Sequence, residues 1–547
     1  MRISKQLPLV VSVLAILAPF ASAAAPSDSP RDADPGQSGY IGGDHSIDPA
    51  TVSQFKQLWN LTLHRLQHSA RPLVHTLQSG KQVIFTASTE NIIRSIDAKT
   101  GDVLAERQVA QPWAMSGASC ETVSKNMGIM GTPVLYPEYD VAFFYAKSYI
   151  EDYRVPGGAT AAMNGVYYLY AVYVETLLDV YKFPIIIDDY AADNDARKIF
   201  LGGLVAQRPA LTLLNDVVYA GFGGLCDSFN YTGTVVAINI NTRWVNRWVT
   251  QAGPGSSYSE DWTLRHGGGA GGVAQYGMGI ATDGQDVYFS VDSGGVGTDK
   301  NATGAPVAGH THQDVLSDSA VRVKLTDDGV QFVDFFRPYD AKRNGSQELE
   351  SGGFSMLDPT VFRTDTVAKL GVSIGGNAKL YIHDLDNLGG YRQGANGSDG
   401  VLQIITLDGG ASGGVGSYPL EGGYMYVTTA NGPLAAYEFT PNSTTSLFTL
   451  AGKSSALSPH SDGVGIPTVT SKNGEPGTGT VWLTDPIRGL LAYQAVPVNG
   501  SLVEVHIGGV NTTAVTIQGA GKYSRPVFGD GRVYIVDGAG RLVALGT

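Results

Sequence analysis

Two cysteines in 547 residues, Cys120 and Cys226, are too few for a disulfide-built scaffold, and neither has a CxxC or CxxH partner that would suit zinc. Charge is sparse. Asp, Glu, Lys and Arg make up 16% of the chain, 37 basic against 50 acidic, for a net charge of −13. No Lys/Arg-rich run occurs, so nucleic acid and anionic membrane surfaces are excluded as partners. Long hydrophobic runs are missing too. Beyond the first two dozen residues, no stretch approaches the ~18 unbroken apolar residues of a membrane span. The most apolar later segment, 166–187, is broken by Glu175, Asp179, Lys182 and Pro184. Its Tyr and Val content suits buried strands.

What is present begins with a leader. Arg2 and Lys5 precede an apolar stretch over 7–20, followed by Ala21-Ser22-Ala23. This pattern predicts a secretory signal peptide over 1–23 and a secreted, extracellular product. In that oxidising compartment the two lone cysteines are expected to pair, Cys120 with Cys226. Asn-x-Ser/Thr sequons stand at Asn60, Asn230, Asn301, Asn344, Asn396, Asn442, Asn499 and Asn511, as in a eukaryotic secreted glycoprotein. Residues 24–54 read as an N-terminal extension and 55–547 as a single domain.

The domain is repetitive. A small or polar residue, Pro, and then apolar residues recur at Arg71-Pro72-Leu73, Thr132-Pro133-Val134, Arg208-Pro209-Ala210, Tyr418-Pro419-Leu420, Ile466-Pro467-Thr468 and Arg525-Pro526-Val527. Gly277-Met278-Gly279-Ile280 and Phe354-Ser355-Met356-Leu357 are looser copies, which makes eight at a spacing of roughly 65 residues. Each start is followed by short alternating strands punctuated by Gly, Asp and Asn, as in Arg532-Val533-Tyr534-Ile535-Val536, the turn Asp537 to Gly540, and Arg541-Leu542-Val543-Ala544-Leu545. Four antiparallel strands repeated eight times predict an all-β, eight-bladed β-propeller. The last copy stops one strand short, while 55–63 reads as an unassigned strand. That segment is expected to complete the last blade and close the ring. Insertions at 137–165, 253–271, 293–317 and 388–399 are rich in Gly, Ser, Asp and Asn and read as loops.

These residues resemble the quinoprotein alcohol dehydrogenase-like (PQQ-repeat) superfamily, as a fungal-type secreted member. The stretch Ser95-Ile96-Asp97-Ala98-Lys99-Thr100-Gly101-Asp102-Val103-Leu104 is similar to its docking repeat. Gly128-Ile129-Met130-Gly131-Thr132-Pro133-Val134 resembles its second-blade start, and Lys379 to Gly390 another characteristic stretch. The resemblance implies an eight-bladed propeller and, in intact members, PQQ and calcium. The chain departs from the pattern at several points. Ala105 stands where the docking repeat ends in Trp, and only Trp59, Trp248 and Trp482 offer comparable rings. No Cys-Cys pair occurs. The stretch matching the family's calcium-binding Asn, Val287 to Ser293, has no Asn. No Trp-Asp occurs in the region from Arg337-Pro338-Tyr339-Asp340 to Glu348 and Glu350, and no basic residue matches near Gly375-Gly376-Asn377. The scaffold is retained and the cofactor constellation is dismantled.

Candidate sites follow from the ring. Arg71, Arg208 and Arg525, with Thr132, share the position before an inner strand, at the mouth of the central channel. Three guanidiniums there suit an anionic ligand such as a carboxylate, or each pairs with an acid or carbonyl of a neighbouring blade. His310, His312 and Asp314 would present metal ligands on one face of an extended loop. Asp261, His266 and the glycines from Gly267 to Gly272 lack any phosphate-loop context. His383, Asp384 and Asp386 suit turn chemistry. His460-Ser461-Asp462 invites a hydrolase reading, but no GxSxG elbow accompanies it. The expected function is a monomeric scaffold binding a small molecule, glycan or protein at its loop-rich face. Its rivals are a PQQ- and calcium-dependent oxidoreductase of alcohols or sugars and a carbohydrate-active hydrolase or lyase.

Overall fold

The computed structural model describes residues 34–43, 46–63, 70–115, 125–158, 161–225, 230–253, 256, 268–275, 277–293, 316–341, 349, 352–411, 413–443, 446–457, 464–509, 515, 517–521 and 523–547. Eight small sheets follow one another in chain order, each headed by a short inner strand. These are Leu73–Thr76, Val134–Tyr136, Thr212–Leu214, Ala281–Thr282, Phe354–Met356, Gly416–Tyr418, Thr468–Thr470 and Val527–Gly529, in blades 1 to 8. Alternating β-branched and aromatic residues bury one blade against the next. In blade 2, Phe144 and Tyr170 stack on each other beneath Phe85 of blade 1. Turns within the blades are set by acidic side chains that accept backbone amides ahead of them. Asp537 accepts from the amides of Ala539 and Arg541 and binds the Arg541 guanidinium, and Asp485 does the same with Ile487 and Arg488.

The ring closes as the missing strand required. Lys56–Thr62 pairs antiparallel with Arg541–Gly546, Lys56 opposite Gly546 and Thr62 opposite Arg541. The closing strand also supplies a docking indole. Trp59 lies over Gly101, where an added Cβ would come within 2.8 Å of the ring, and donates from Nε1 to Ala98 O at 3.2 Å. The ring missing at Ala105 within blade 1 is thus supplied from blade 8, and Tyr534 donates to the same carbonyl at 3.0 Å.

Three blades depart from four antiparallel strands. Blade 4 gains a parallel edge, Gly390–Tyr391, from the 388–399 insertion. Blade 7 has three regular antiparallel strands, extended at its outer edge by a bridge between Tyr493 and Glu504 and at its inner edge by the parallel pair Tyr40–Ile41. Blade 3 splits its first strand into Val205–Gln207 and Thr212–Leu214. One expectation is corrected: much of the 137–165 insertion is the nine-residue strand Val141–Tyr149, paired along its length with Gly165–Tyr173. Its apolar residues are buried between blades, and the turn residues Pro137 and Asp140 mark only the hairpin before it. No helix among the described residues is long and apolar enough to cross a membrane.

Candidate functional site at the ring axis

An inner strand has one sheet neighbour, so its second edge offers amides and carbonyls toward the axis. Such groups must find partners when buried. Around blades 1 to 4 they find them in each other. The Arg71 amide donates to Thr132 Oγ1 at 3.0 Å, the Leu211 amide to Thr132 O at 3.0 Å, and the Ala210 amide to Met278 O at 3.0 Å. Arg71 and Arg525 are both buried at the mouth. Arg71 Nη2 donates to Pro526 O at 3.0 Å, and Arg525 Nη2 lies 3.4 Å from Val415 O. Arg208 holds the equivalent place in blade 3, half-buried. Two of the three guanidiniums therefore tie the mouth to carbonyls of other blades, and Thr132 serves as a double acceptor within the same girdle.

The axis itself holds the looser fourth start, Gly277 to Gly279, together with Gln275 and Gln37, which the sequence pattern did not single out. The Met278 amide donates to Gln275 O at 2.8 Å. Gln275 is fully buried and donates to Gly279 O at 2.6 Å while accepting from the Ser290 amide at 2.8 Å. The Met278 side chain is also fully buried and lies against Gly353 of blade 5 and Gly414 of blade 6. Gly277 meets the opposite side of the ring. A Cβ there would stand 2.7 Å from Tyr523 O, beside blade 8, and 3.2 Å from Ile466 of blade 7. Below this layer, Gln37 of the N-terminal extension is fully buried, its Oε1 accepting from the Gly279 amide at 3.2 Å. The only sequence signal for this arrangement is the clustering of turn formers over 34–39.

Among the described residues, three in the stretches matched to the quinone and calcium site are engaged within the chain. Ser290 sits in the stretch matched to the calcium ligand, and its amide is bound to Gln275. Asp340 pairs with Lys379 at 2.7 Å. Asn377 spans from the Lys379 amide to the Tyr381 hydroxyl, at 3.1 and 2.8 Å. With Met278 and Gln37 filling the axis, these residues do not fit PQQ with calcium. Among the described residues, no three His, Cys, Asp or Glu gather as a metal site.

Two buried polar clusters lie away from the axis. In blade 5, His383 is fully buried, with Nε2 2.8 Å from Ser373 Oγ and Nδ1 3.0 Å from Leu388 O. Burial pushes its pKa down to about 4, so the ring is neutral and accepts the serine proton. Asp384 accepts the Asp386 amide in a turn, as expected. In blade 2, Lys147 is fully buried over the Trp113 ring at 4.2 Å and donates to Val205 O at 2.9 Å. Burial lowers its pKa to about 7, partly opposed by the charge of Asp188, which is ion-paired with Arg154. A hollow of about 380 Å³ on the outer side of blade 7 is lined by Arg488, Glu504, His506 and Ile517, among others.

Among the sequons, Asn60, Asn396, Asn442 and Asn499 are exposed and Asn230 is half-buried. Cys120, Cys226, Asp261, His266, Asn301, His310, His312, Asp314, Asn344, Glu348, Glu350, His460, Ser461, Asp462 and Asn511 lie outside the described residues.

No protein-family model matches the chain, and no curated protein matches it. Solved structures do. A quinohemoprotein alcohol dehydrogenase from Comamonas testosteroni superposes with a TM-score of 0.62 at 13% identity, over 95% of this chain and 80% of that one. A second, from Pseudomonas putida, gives 0.59 at 13% identity over 94% and 81%. At this identity the likeness is one of fold alone, that of an eight-bladed β-propeller.

Proposed function

We propose that this propeller is a secreted, glycosylated binding scaffold that carries the quinoprotein ring without its quinone chemistry. One observation supports this above the others. The axis is filled by the chain's own Met278 and Gln37, and two of the mouth arginines, Arg71 and Arg525, are engaged with carbonyls of the ring. A planar cofactor would have to displace packed side chains and leave buried amides without acceptors, each costing about 1–3 kcal/mol. Recognition then falls to the faces and rims of the ring, where loops vary while the blades stay fixed.

The test is a titration of the purified secreted protein with PQQ and Ca²⁺, followed by absorbance and calorimetry, with dye reduction by alcohols and sugars as a second readout. The expected result is no saturable binding and no dye reduction. Saturable micromolar binding followed by turnover would restore the oxidoreductase reading.

A further inference from the structure

The segment 34–41 belongs to no blade by sequence, yet it is bonded to the axial edges of three. Pro35 O accepts the amide of Thr282 in blade 4 at 3.0 Å, and Gly36 O accepts that of Met356 in blade 5 at 2.8 Å. The chain then turns over. Gln37 takes a φ of 60°, its amide donates to Asp34 O at 3.1 Å, and the Asp34 carboxylate accepts the amides of Gly36 and Ser38. On the return, Gly39 O accepts the Val469 amide of blade 7 at 2.8 Å, and Tyr40–Ile41 runs parallel to Thr468–Thr470. In the sheet order of blade 7 this pair lies inside the innermost strand, so the segment occupies the channel.

The contacts have the character of ligand recognition. Main-chain bonds to a free strand edge provide the attachment, as when an extended peptide adds to a sheet. Side chains provide the selectivity. Gly39, at φ 75°, has Pro467 O, Gly416 Cα and Arg525 Nη1 at 3.0, 3.1 and 3.2 Å from where a Cβ would stand, so only glycine fits. Gln37 reads the Gly279 amide through its own carbonyl oxygen. Tyr40 sets its hydroxyl 2.8 Å from Ser471 Oγ and its ring edge-on to Tyr418 at 6.0 Å.

We infer that the ring axis is a binding site for a turned, glycine-containing peptide of the form Gln-Ser-Gly-aromatic, held by the chain's own residues 34–41. The inference deepens the scaffold reading by naming the ligand class of the axis. A segment attached in this way is exchangeable, because its bonds to the blades are main-chain bonds that a second copy of the same turn would also make. A peptide of the same form would occupy the edges of blades 4, 5 and 7 once the tethered segment is displaced.

The experiment uses the full-length secreted chain. Gly39→Val is expected to eject the segment, and amide hydrogen exchange at Thr282, Met356 and Val469 should accelerate by about tenfold or more. Leu211 and Ala210, bonded within the direct girdle, should keep their wild-type rates. A synthetic peptide of residues 34–41 should then bind the variant saturably and restore protection, while the wild type binds none of it. Wild-type exchange rates in the variant, or no binding of the peptide, would overturn the inference. Should Gly39→Val fail to fold, Gln37→Ala is the milder probe. It is expected to accelerate exchange at Gly279, and an unchanged rate there overturns the inference equally. PQQ binding by the wild type would sink the functional reading and leave these exchange results standing, so the two failures are distinguishable.

Discussion

The two halves of the channel wall are built differently. From blade 1 to blade 4 the residues before the inner strands bond one another directly, through Arg71, Thr132, Leu211, Ala210 and Met278. From blade 4 to blade 7 the axial amides of Thr282, Met356 and Val469 are satisfied by a segment that comes from outside the repeat. The first half meets its hydrogen-bonding needs from residues of the repeat itself. The second depends on a strap, and a strap can be removed without unfolding a blade. The difference locates adaptability on one side of the axis.

Met278 joins the two halves. Its carbonyl belongs to the direct girdle, and its side chain fills the axis against Gly353 and Gly414. Met278→Ala should therefore have the largest effect of a single truncation here, a loss of about 2–5 kcal/mol from the cavity and the lost burial. Thermal unfolding by circular dichroism checks it. A shift of less than a degree would mean that the axis is not packed and that the comparison of halves misplaces its centre.

The halves should also differ in their response to pH, since each contains a fully buried basic group whose pKa is strongly lowered. In blade 5, His383 has a pKa of about 4 when folded and about 6.5 when unfolded. The unfolded chain takes up the extra proton in that interval, so stability present above pH ~6.5 is lost as pH falls toward 4, by up to about 3 kcal/mol. In blade 2, Lys147 has a pKa of about 7 when folded, against an ordinary value of 10.5. The unfolded chain stays protonated through that window, so stability rises as pH climbs from about 7 toward 10.5. Denaturant unfolding across pH should show His383→Gln flattening the acid limb alone and Lys147→Met flattening the alkaline rise alone. If either variant alters both limbs, the two halves are coupled through their charges.

Much of this architecture was legible in the chain. The Pro-apolar starts gave the inner strands, and the strand missing after Leu545 pointed to the closing pair with Lys56–Thr62. What escaped was whatever works through the main chain or across blades. Residues 34–41 carry Asp, Pro, Gly and Ser, which announce turns, but their binding rests on carbonyls common to every residue. Trp59 was one of three rings the sequence offered, and its partner escaped because Gly101 belongs to another repeat and local spacing at Ala105 cannot reveal where a ring from the far end of the fold docks. Val141–Tyr149 was hidden by the turn signals beside it. At the mouth, the repeated arginines were visible, and of the two alternatives open in the sequence Arg71 and Arg525 take the carbonyl pairing, Arg525 reaching past blade 7 to Val415.

Within the direct half, Thr132→Val isolates one bond of the girdle. The Arg71 amide is buried and would lose its acceptor while the volume at the site is nearly kept, a cost of about 1–3 kcal/mol. Exchange at the Arg71 amide should rise with that loss, and exchange at Val469 should not. Equal acceleration at both would show that the strap and the girdle open together, erasing the distinction between the halves.

The smallest effect concerns the seam where the ring is closed. Trp59→Phe keeps a smaller ring near Gly101 and removes the Nε1 bond to Ala98 O, whose carbonyl still accepts from Tyr534. Because the acceptor keeps a partner, the loss should be near 1 kcal/mol. Because the closing strand is held by its ladder to Arg541–Gly546, the variant should unfold in a single transition. A separate early transition would mean that the indole, and not the ladder, holds blade 8 to blade 1. The seam would then share with the strap the property of opening independently of the blades.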